Sequence, residues 1–187
     1  MFTPTDLMYK LAESQISDLN LKDKEITEIE SLLEEYLDDD TYKTINITYY
    51  GEPKAQARAR ASSNLNHFYD PSKSFKLVIN EAIRNELGND FKPINSEIYF
   101  EARYYKPFPK STSKKNQVLM ELGVVRPTNK PDLDNYEKLL YDALLNVLYL
   151  DDSIVVSGNH QKFFSCKPRV EITIKFRKNK NGKWCFY

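Results

Sequence analysis

Between residues 132 and 152 the chain carries a stretch that admits few folds. Advancing about 100° per residue from Asp134 places Tyr136, Leu139, Leu140, Ala143 and Val147 on one arc. Asp134, Lys138 and Asp142 fall on the opposite arc, one turn apart. The periodicity predicts an amphipathic helix over 135–147 whose apolar side must be buried against a core. Its wet side runs carboxylate, ammonium, carboxylate. Asp132 breaks the pattern, because as a helical residue it would point into the core. It therefore belongs to an extended segment beside Pro131. Asp151 and Asp152 follow the helix and open the next strand.

The flanking chain switches between strand and helix periods. Ile45, Asn46, Ile47, Thr48 and Tyr49 alternate as a strand that Gly51-Glu52-Pro53 breaks. Tyr69-Asp70-Pro71-Ser72 opens a helix to about Leu87, with Phe75, Val78, Ile79, Ala82 and Ile83 inward and Gly88 ending it. A strand over 98–105 sets Ile98, Phe100, Ala102 and Tyr104 on one face. Ser153 to Val156 reads as a short strand, with Gly158-Asn159 as a turn. Over 169–177, Val170, Ile172, Ile174 and Phe176 alternate with Arg169, Glu171, Thr173, Lys175 and Arg177, so one face is buried and the other wet. Residues 178–183 fit a hairpin turn into Trp184, Cys185 and Phe186. The mixture predicts an α+β fold: a small mixed, mostly antiparallel sheet with helices packed on one side.

The formal net charge of zero hides a division. Residues 1–44 hold four Lys/Arg against twelve Asp/Glu, whereas the rest holds 23 against 15. Thr3, Pro4 and Asp6 start one helix, continued by Leu7, Met8, Leu11 and Ile16. A second is capped again between Asn20 and Asp23, with Ile26, Ile29, Leu32, Leu33, Tyr36 and Leu37 as its apolar stripe. It should end at Asp38-Asp39-Asp40, because acids at a helix C-terminus oppose the macrodipole. Residues 1–44 thus read as an acidic helical extension ahead of a basic domain over 45–187. The extension is either a solvated hairpin packed on the body or an acidic cover for a polyanion-binding surface. No apolar run approaches the roughly 20 residues of a membrane span. Cys166 and Cys185 have no metal or redox spacing, so a reduced, cytoplasmic protein is expected.

Asp132 and Asp134, joined by an acid from the next strand, offer hard oxygen ligands suited to Mg²⁺ or Mn²⁺. On a basic body such a site points to phosphodiester hydrolysis, with Lys138 placed to neutralise developing charge. Arg58 and Arg60, two apart on extended chain, suit consecutive phosphates. Lys110, Lys114 and Lys115 lie in a Pro/Ser/Lys loop leading to a helix and suit phosphates too. Plainer readings exist for each residue. Asp132 is a good N-cap, Asp134 with Glu137 resembles a capping box, and Asp134 with Lys138 is an ordinary helical pair. Asp151-Asp152 suits a turn. One helix, however, needs only one cap. His67 and His160 look like surface or packing residues.

Lys130-Pro131-Asp132-Leu133-Asp134-Asn135, Lys138, Asp142-Ala143-Leu144 and Asp151-Asp152 resemble the signature of RusA-type Holliday junction resolvases. The likeness runs from about Ile45 to Arg177. Gly51-Glu52-Pro53 with Arg58-Ala59-Arg60, the loop from Pro107 to Lys115, and Lys162 ahead of Pro168-Arg169-Val170 resemble its flanking motifs. The resemblance implies a small dimeric, Mg²⁺-dependent endonuclease that cuts four-way DNA junctions symmetrically and is often encoded by prophages. By motif position, Asp132, Asp134 and Asp152 would be the catalytic metal-binding aspartates and Lys138 the essential lysine. Arg58, Arg60, Lys110, Lys114, Lys115 and Lys162 would contact DNA. Gln56 stands where a lysine is common, and residues 1–44 have no counterpart in the pattern. The alternative is a non-catalytic binder of branched DNA with the same fold. A helix over 135–147 is about 20 Å long, and five residues from Val147 to Asp152 reach at most about 17 Å. On that geometry either the helix ends near Leu145 and the loop doubles back, or a partner subunit supplies the missing carboxylate; the dimer that the resemblance implies favours the second.

Overall fold

Three strands of the main sheet turn their apolar alternation to a common core. In the computed structural model, which describes residues 21–37, 42–56, 60–61, 68–69, 72–88 and 90–177, four strands form a sheet in the order β1-β6-β4-β5. These are β1 (Tyr42–Tyr50), β4 (Ile98–Lys106), β5 (Val155–Phe164) and β6 (Arg169–Arg177). β1 and β4 both run antiparallel to β6, while β5 lies parallel to β4. The two-residue strands β2 (Arg60–Ala61) and β3 (Phe68–Tyr69) form a separate ribbon. The sheet is thus mixed and mostly antiparallel, as the sequence implies. The expected first helix at Thr3 to Ile16, the acids Asp38 to Asp40, Arg58, His67 and the tail hairpin at 178–187 lie outside the described residues.

Ile45 and Ile47 of β1, Ile98, Phe100, Ala102 and Tyr104 of β4, and Val170, Ile172, Ile174 and Phe176 of β6 are all buried. Two helices contribute to the same core: α2 (Lys73–Leu87) and α4 (Leu133–Leu144). Between them in sequence lies α3 (Lys114–Glu121), whose N-cap Ser113 accepts the Asn116 N–H. α2 ends where expected, at Gly88, whose φ of 85° is a conformation that only glycine adopts without strain. Its inward residues differ from expectation, for Val78 is 49% exposed. The inward arc runs instead from Phe75 through Ile79 and Ile83 to Lys76 and Asn80. Lys76 reaches Asp142 of α4 at 2.7 Å, and Asn80 reaches the Ala143 carbonyl at 3.5 Å.

α4 also departs from expectation, ending at Leu144 rather than Val147. Asn146 takes a left-handed φ of 64° and donates to the Tyr149 carbonyl at 2.7 Å, so the chain folds back. Val147, Leu148 and Tyr149 remain buried, although in a turn and not a helix. The shorter helix rises about 18 Å, and the eight residues from Leu144 to Asp152 span up to about 27 Å when extended. The length argument for a partner-supplied carboxylate therefore falls. Ser153 belongs to a 3₁₀ turn, Asp152–Ile154, and Gly158-Asn159 lies inside β5, paired with Phe100 and Glu101.

The chain divides into two units, Met1–Thr41 and Tyr42–Tyr187. In the first, α1 (Asp23–Leu37) starts with Glu25 accepting the Lys22 N–H at 2.8 Å, which is half of a capping box. Among the described residues no helix is long and apolar enough to cross a membrane. Leu144, fully buried where α4 meets the core, tests the packing. Leu144→Ala is expected to cost about 2–5 kcal/mol, read as a lower urea midpoint at unchanged m-value.

Candidate functional site

The acids around α4 separate by what folding asks of them. Asp132 is the N-cap in extended conformation (φ −71°, ψ 153°), just after the cis Lys130–Pro131 bond, yet its side chain makes no cap hydrogen bond. Its carbonyl starts the helix by accepting the Asn135 N–H at 3.3 Å. The exposed carboxylate is thus left out of capping. Asp134, one helical residue in, is held by Lys138 Nζ at 3.0 Å, with both side chains more than half exposed. That hydrogen bond pulls the Asp134 carboxyl below its ordinary value. The expected third rung goes elsewhere, because Asp142 pairs with Lys76. Glu137 does not close a capping box; its carboxylate lies 3.6 Å from His160 Nε2.

The second acidic pair divides in the same way. Asp151 caps the 3₁₀ turn by accepting the Ser153 N–H at 2.8 Å, which lowers its pKa. Asp152 is the first residue of that turn and is exposed. Its charge raises the Tyr141 and Tyr149 phenols, adding to the larger effect of their burial. Among the described residues no three His, Cys, Asp or Glu side chains group so as to hold a metal ion. One chain therefore presents Asp132 and Asp134 at the start of α4, with Asp152 at the turn beyond it. The donors fit a hard cation such as Mg²⁺: they are carboxylates, exposed, with Asp134 ionised, and Mg²⁺ needs only one or two carboxylates beside water and phosphate.

Two further segments approach the start of α4. The Gln56 N–H donates to the Asn135 carbonyl at 2.7 Å, which brings the basic segment against the helix. Gln56 Oε1 is buried without a hydrogen-bond partner. Burial lifts the Tyr136 phenol to about 12, with the Glu52 carboxylate adding to the rise. Arg58 is outside the described residues; Arg60 pairs through its backbone with Tyr69, and its side chain is also outside them. Lys110, Lys114 and Lys115 are exposed, the last two in the first turn of α3. Lys162 is half-buried and turned inward. Its Nζ donates to the Pro131 carbonyl at 3.1 Å and to the Asn129 carbonyl at 3.3 Å. Lys106 Nζ beside it donates to the Lys130 carbonyl at 3.0 Å and to Asn129 Oδ1 at 3.2 Å.

His160, which the sequence leaves as a surface or packing residue, joins three elements. Its Nδ1 meets the Tyr104 hydroxyl at 3.0 Å and its Nε2 the Tyr141 hydroxyl at 2.9 Å. The ring stacks on Phe100 and Tyr104, and the side chain is 4% exposed. Gly158 makes room, for a Cβ there would lie 2.7 Å from the Tyr141 hydroxyl. The 3.6 Å approach of Glu137 would suit a charged imidazole, but burial is the larger effect and holds His160 below its ordinary value, so the neutral ring prevails. The available signal in sequence was register: His160, Lys162 and Phe164 share one face of β5.

A family model described as "Endodeoxyribonuclease RusA" matches residues 50–175, which include Asp132, Asp134, Lys138, Asp152 and Lys162. The chain is also similar to "Uncharacterized protein YqaN" of Bacillus subtilis (strain 168). The two are 42% identical over 137 residues, covering 70% of this chain and 95% of that protein.

The neutral, buried His160 has a consequence for stability. As pH falls through the ordinary value of 6.5, the unfolded chain takes up a proton that the folded chain resists. The unfolded state then binds more protons, so folding stability declines as pH drops below about 6.5. Urea midpoints measured between pH 7.5 and 5.5 should fall for the native chain and fall less for His160→Gln.

Proposed function

The chain belongs to the RusA endodeoxyribonuclease family, and from that membership we propose that it is a Mg²⁺-dependent, structure-specific endonuclease that hydrolyses phosphodiesters at Holliday junctions and other branched DNA. The observation that carries this reading is Asp132: it occupies the N-cap of α4 without using its carboxylate to cap. Two residues on, the Asp134 carboxyl is held below its ordinary value by its hydrogen bond with Lys138. Asp132, Asp134 and Asp152 would hold the cation, with Mn²⁺ as a substitute. When bound, the cation supplies Lewis-acid charge at the scissile phosphate.

The chain's own groups do the remaining work. Lys138, already hydrogen-bonded to Asp134, stands one helical turn above it and offers charge to the phosphate as negative charge develops. Arg58, Arg60, Lys110, Lys114 and Lys115 hold flanking phosphates and set the orientation of the duplex arms. A four-way junction is cut on two strands, and a homodimer supplies two centres related by its own symmetry. In this proposal each centre takes Asp132 and Asp134 from one subunit and Asp152 from the other, which fits the finding that among the described residues no three such side chains of one chain group to hold a metal ion.

A synthetic four-way junction tests the activity. Paired nicks are expected with Mg²⁺ and none with chelator, whereas retardation without cutting would identify a binder. Asp132→Asn, Asp134→Asn, Asp152→Asn and Lys138→Ala should each lower turnover by about 10²-fold or more. Junction affinity in the Asn variants should hold or rise, because negative charge beside phosphate is removed. Mixing Asp132→Asn chains with Asp152→Asn chains should regain about one working centre per heterodimer. A silent mixture would assign all three acids to one subunit.

A further inference from the structure

The period-two stripe of β4 runs Ile98, Phe100, Ala102, Tyr104 and then Lys106; the first four are buried in the core. On β5 the matching stripe runs His160, Lys162 and Phe164, with Lys162 opposite Tyr104 and Phe164 opposite Lys106. Paired residues of adjacent strands project to the same side of a sheet. Two lysines therefore occupy core-facing positions at the end of the stripe. Both ammonium groups turn to residues 129–131, the segment that leads into Asp132. Their partners are the carbonyls of Asn129, Lys130 and Pro131 and the side-chain oxygen of Asn129. Arg126 Nε fastens the Lys162 backbone in turn, donating to its carbonyl at 2.7 Å.

We propose that Lys106 and Lys162 are a positioning pair that holds the 129–131 backbone and thereby aims the Asp132 carboxylate, and that Lys162 does not act by touching DNA. What the held segment delivers rests on the endonuclease reading above. Two like charges placed side by side and partly buried are an expense for folding. Burial pulls Lys106 below its ordinary value, and the Lys162 charge pulls it further. Neutral or apolar side chains would fill a core edge at less cost. The ammonium groups instead orient three successive carbonyls, which a flexible surface loop would leave to water. Charge-assisted donors of this kind make stronger hydrogen bonds than neutral ones.

A phosphate contact and a positioning role differ in what they change. Loss of one phosphate contact lowers the slope of log affinity against log salt by about 0.9 and weakens binding. Loss of aim lowers turnover at saturating DNA and leaves affinity alone. Lys106→Gln, Lys162→Gln and the double variant would be compared with the native chain on a four-way junction. The expected result is unchanged affinity and salt slope, with turnover at saturation reduced about 10- to 100-fold. Amide exchange should quicken in 129–135 and stay unchanged over β6. If the double variant fails to fold, the single variants carry the test. Unchanged exchange at 129–135 overturns the proposal, as does a lower salt slope with native turnover at saturation. Exchange needs no catalysis, so a native chain that cuts nothing would refute the nuclease reading while the amides still decide the positioning role.

Discussion

Strands β4 and β5 run parallel, and parallel neighbours cannot be joined by a tight turn. The chain must cross back over the sheet, and this crossover, residues 107–154, contains Lys110, Lys114, Lys115, Asp132, Asp134, Lys138 and Asp152. Its central element, α4, is pinned by Tyr136, Leu140, Ala143 and Leu144 packing into the core that β1, β4 and β6 line. With the helix fixed by its apolar face, its N-terminus and the turn after it become two fixed outlets for polar side chains. The candidate site is thus a consequence of one parallel pairing and one buried helix face.

Within that frame, folding draws on some acids and not on others. Asp151 satisfies a backbone N–H, and Asp142 ties α4 to α2 through Lys76. Asp132 sits where a cap is wanted, and its side chain does not provide one. A cap hydrogen bond is worth on the order of 1 kcal/mol, so leaving it unmade at an N-cap aspartate is a small sacrifice of stability. The Asp134–Lys138 pair is an exposed i,i+4 contact, screened by solvent, and adds little to stability. Neither Asp132 nor Asp134 is accounted for by stability, and both leave their carboxylates at the exposed start of α4.

What was legible in the sequence was periodic. The alternations over 98–105 and 169–177 and the arc on α4 give the buried residues correctly, because side-chain direction follows directly from period. What misled was local chemistry overridden by tertiary contacts. Val147 continues the helical period and is buried, yet Asn146 in the left-handed region has already turned the chain. Gly158-Asn159 has turn composition but sits in β5, where the bare Cα of Gly158 admits the Tyr141 hydroxyl. Val78 falls outside the α2 contact because Lys76 and Asn80 face α4, a preference for polar partners that no apolar moment encodes. Lys162 enters as a DNA contact through the family resemblance; its register opposite Tyr104, which places it on the core-facing stripe of β5, was not legible in the sequence.

The core itself changes character toward the site. Along β4 the core-facing stripe passes from Ile98 and Phe100 to Tyr104 and then Lys106, and along β5 from His160 to Lys162. Tyr104 and Tyr141 satisfy both nitrogens of His160, so the polar groups enter the interior already paired. A purely apolar stripe would pack as well but would have no donors for the carbonyls before Asp132. A purely polar one would forfeit the burial that anchors α4, at about 25 cal/mol per Å² of apolar surface. The graded stripe meets both demands: dispersion and burial hold the helix body, while directional hydrogen bonds orient the backbone at its mouth. The aim proposed for Asp132 is thus carried by the sheet beneath it, through the hydrogen bonds of Lys106 and Lys162 to residues 129–131.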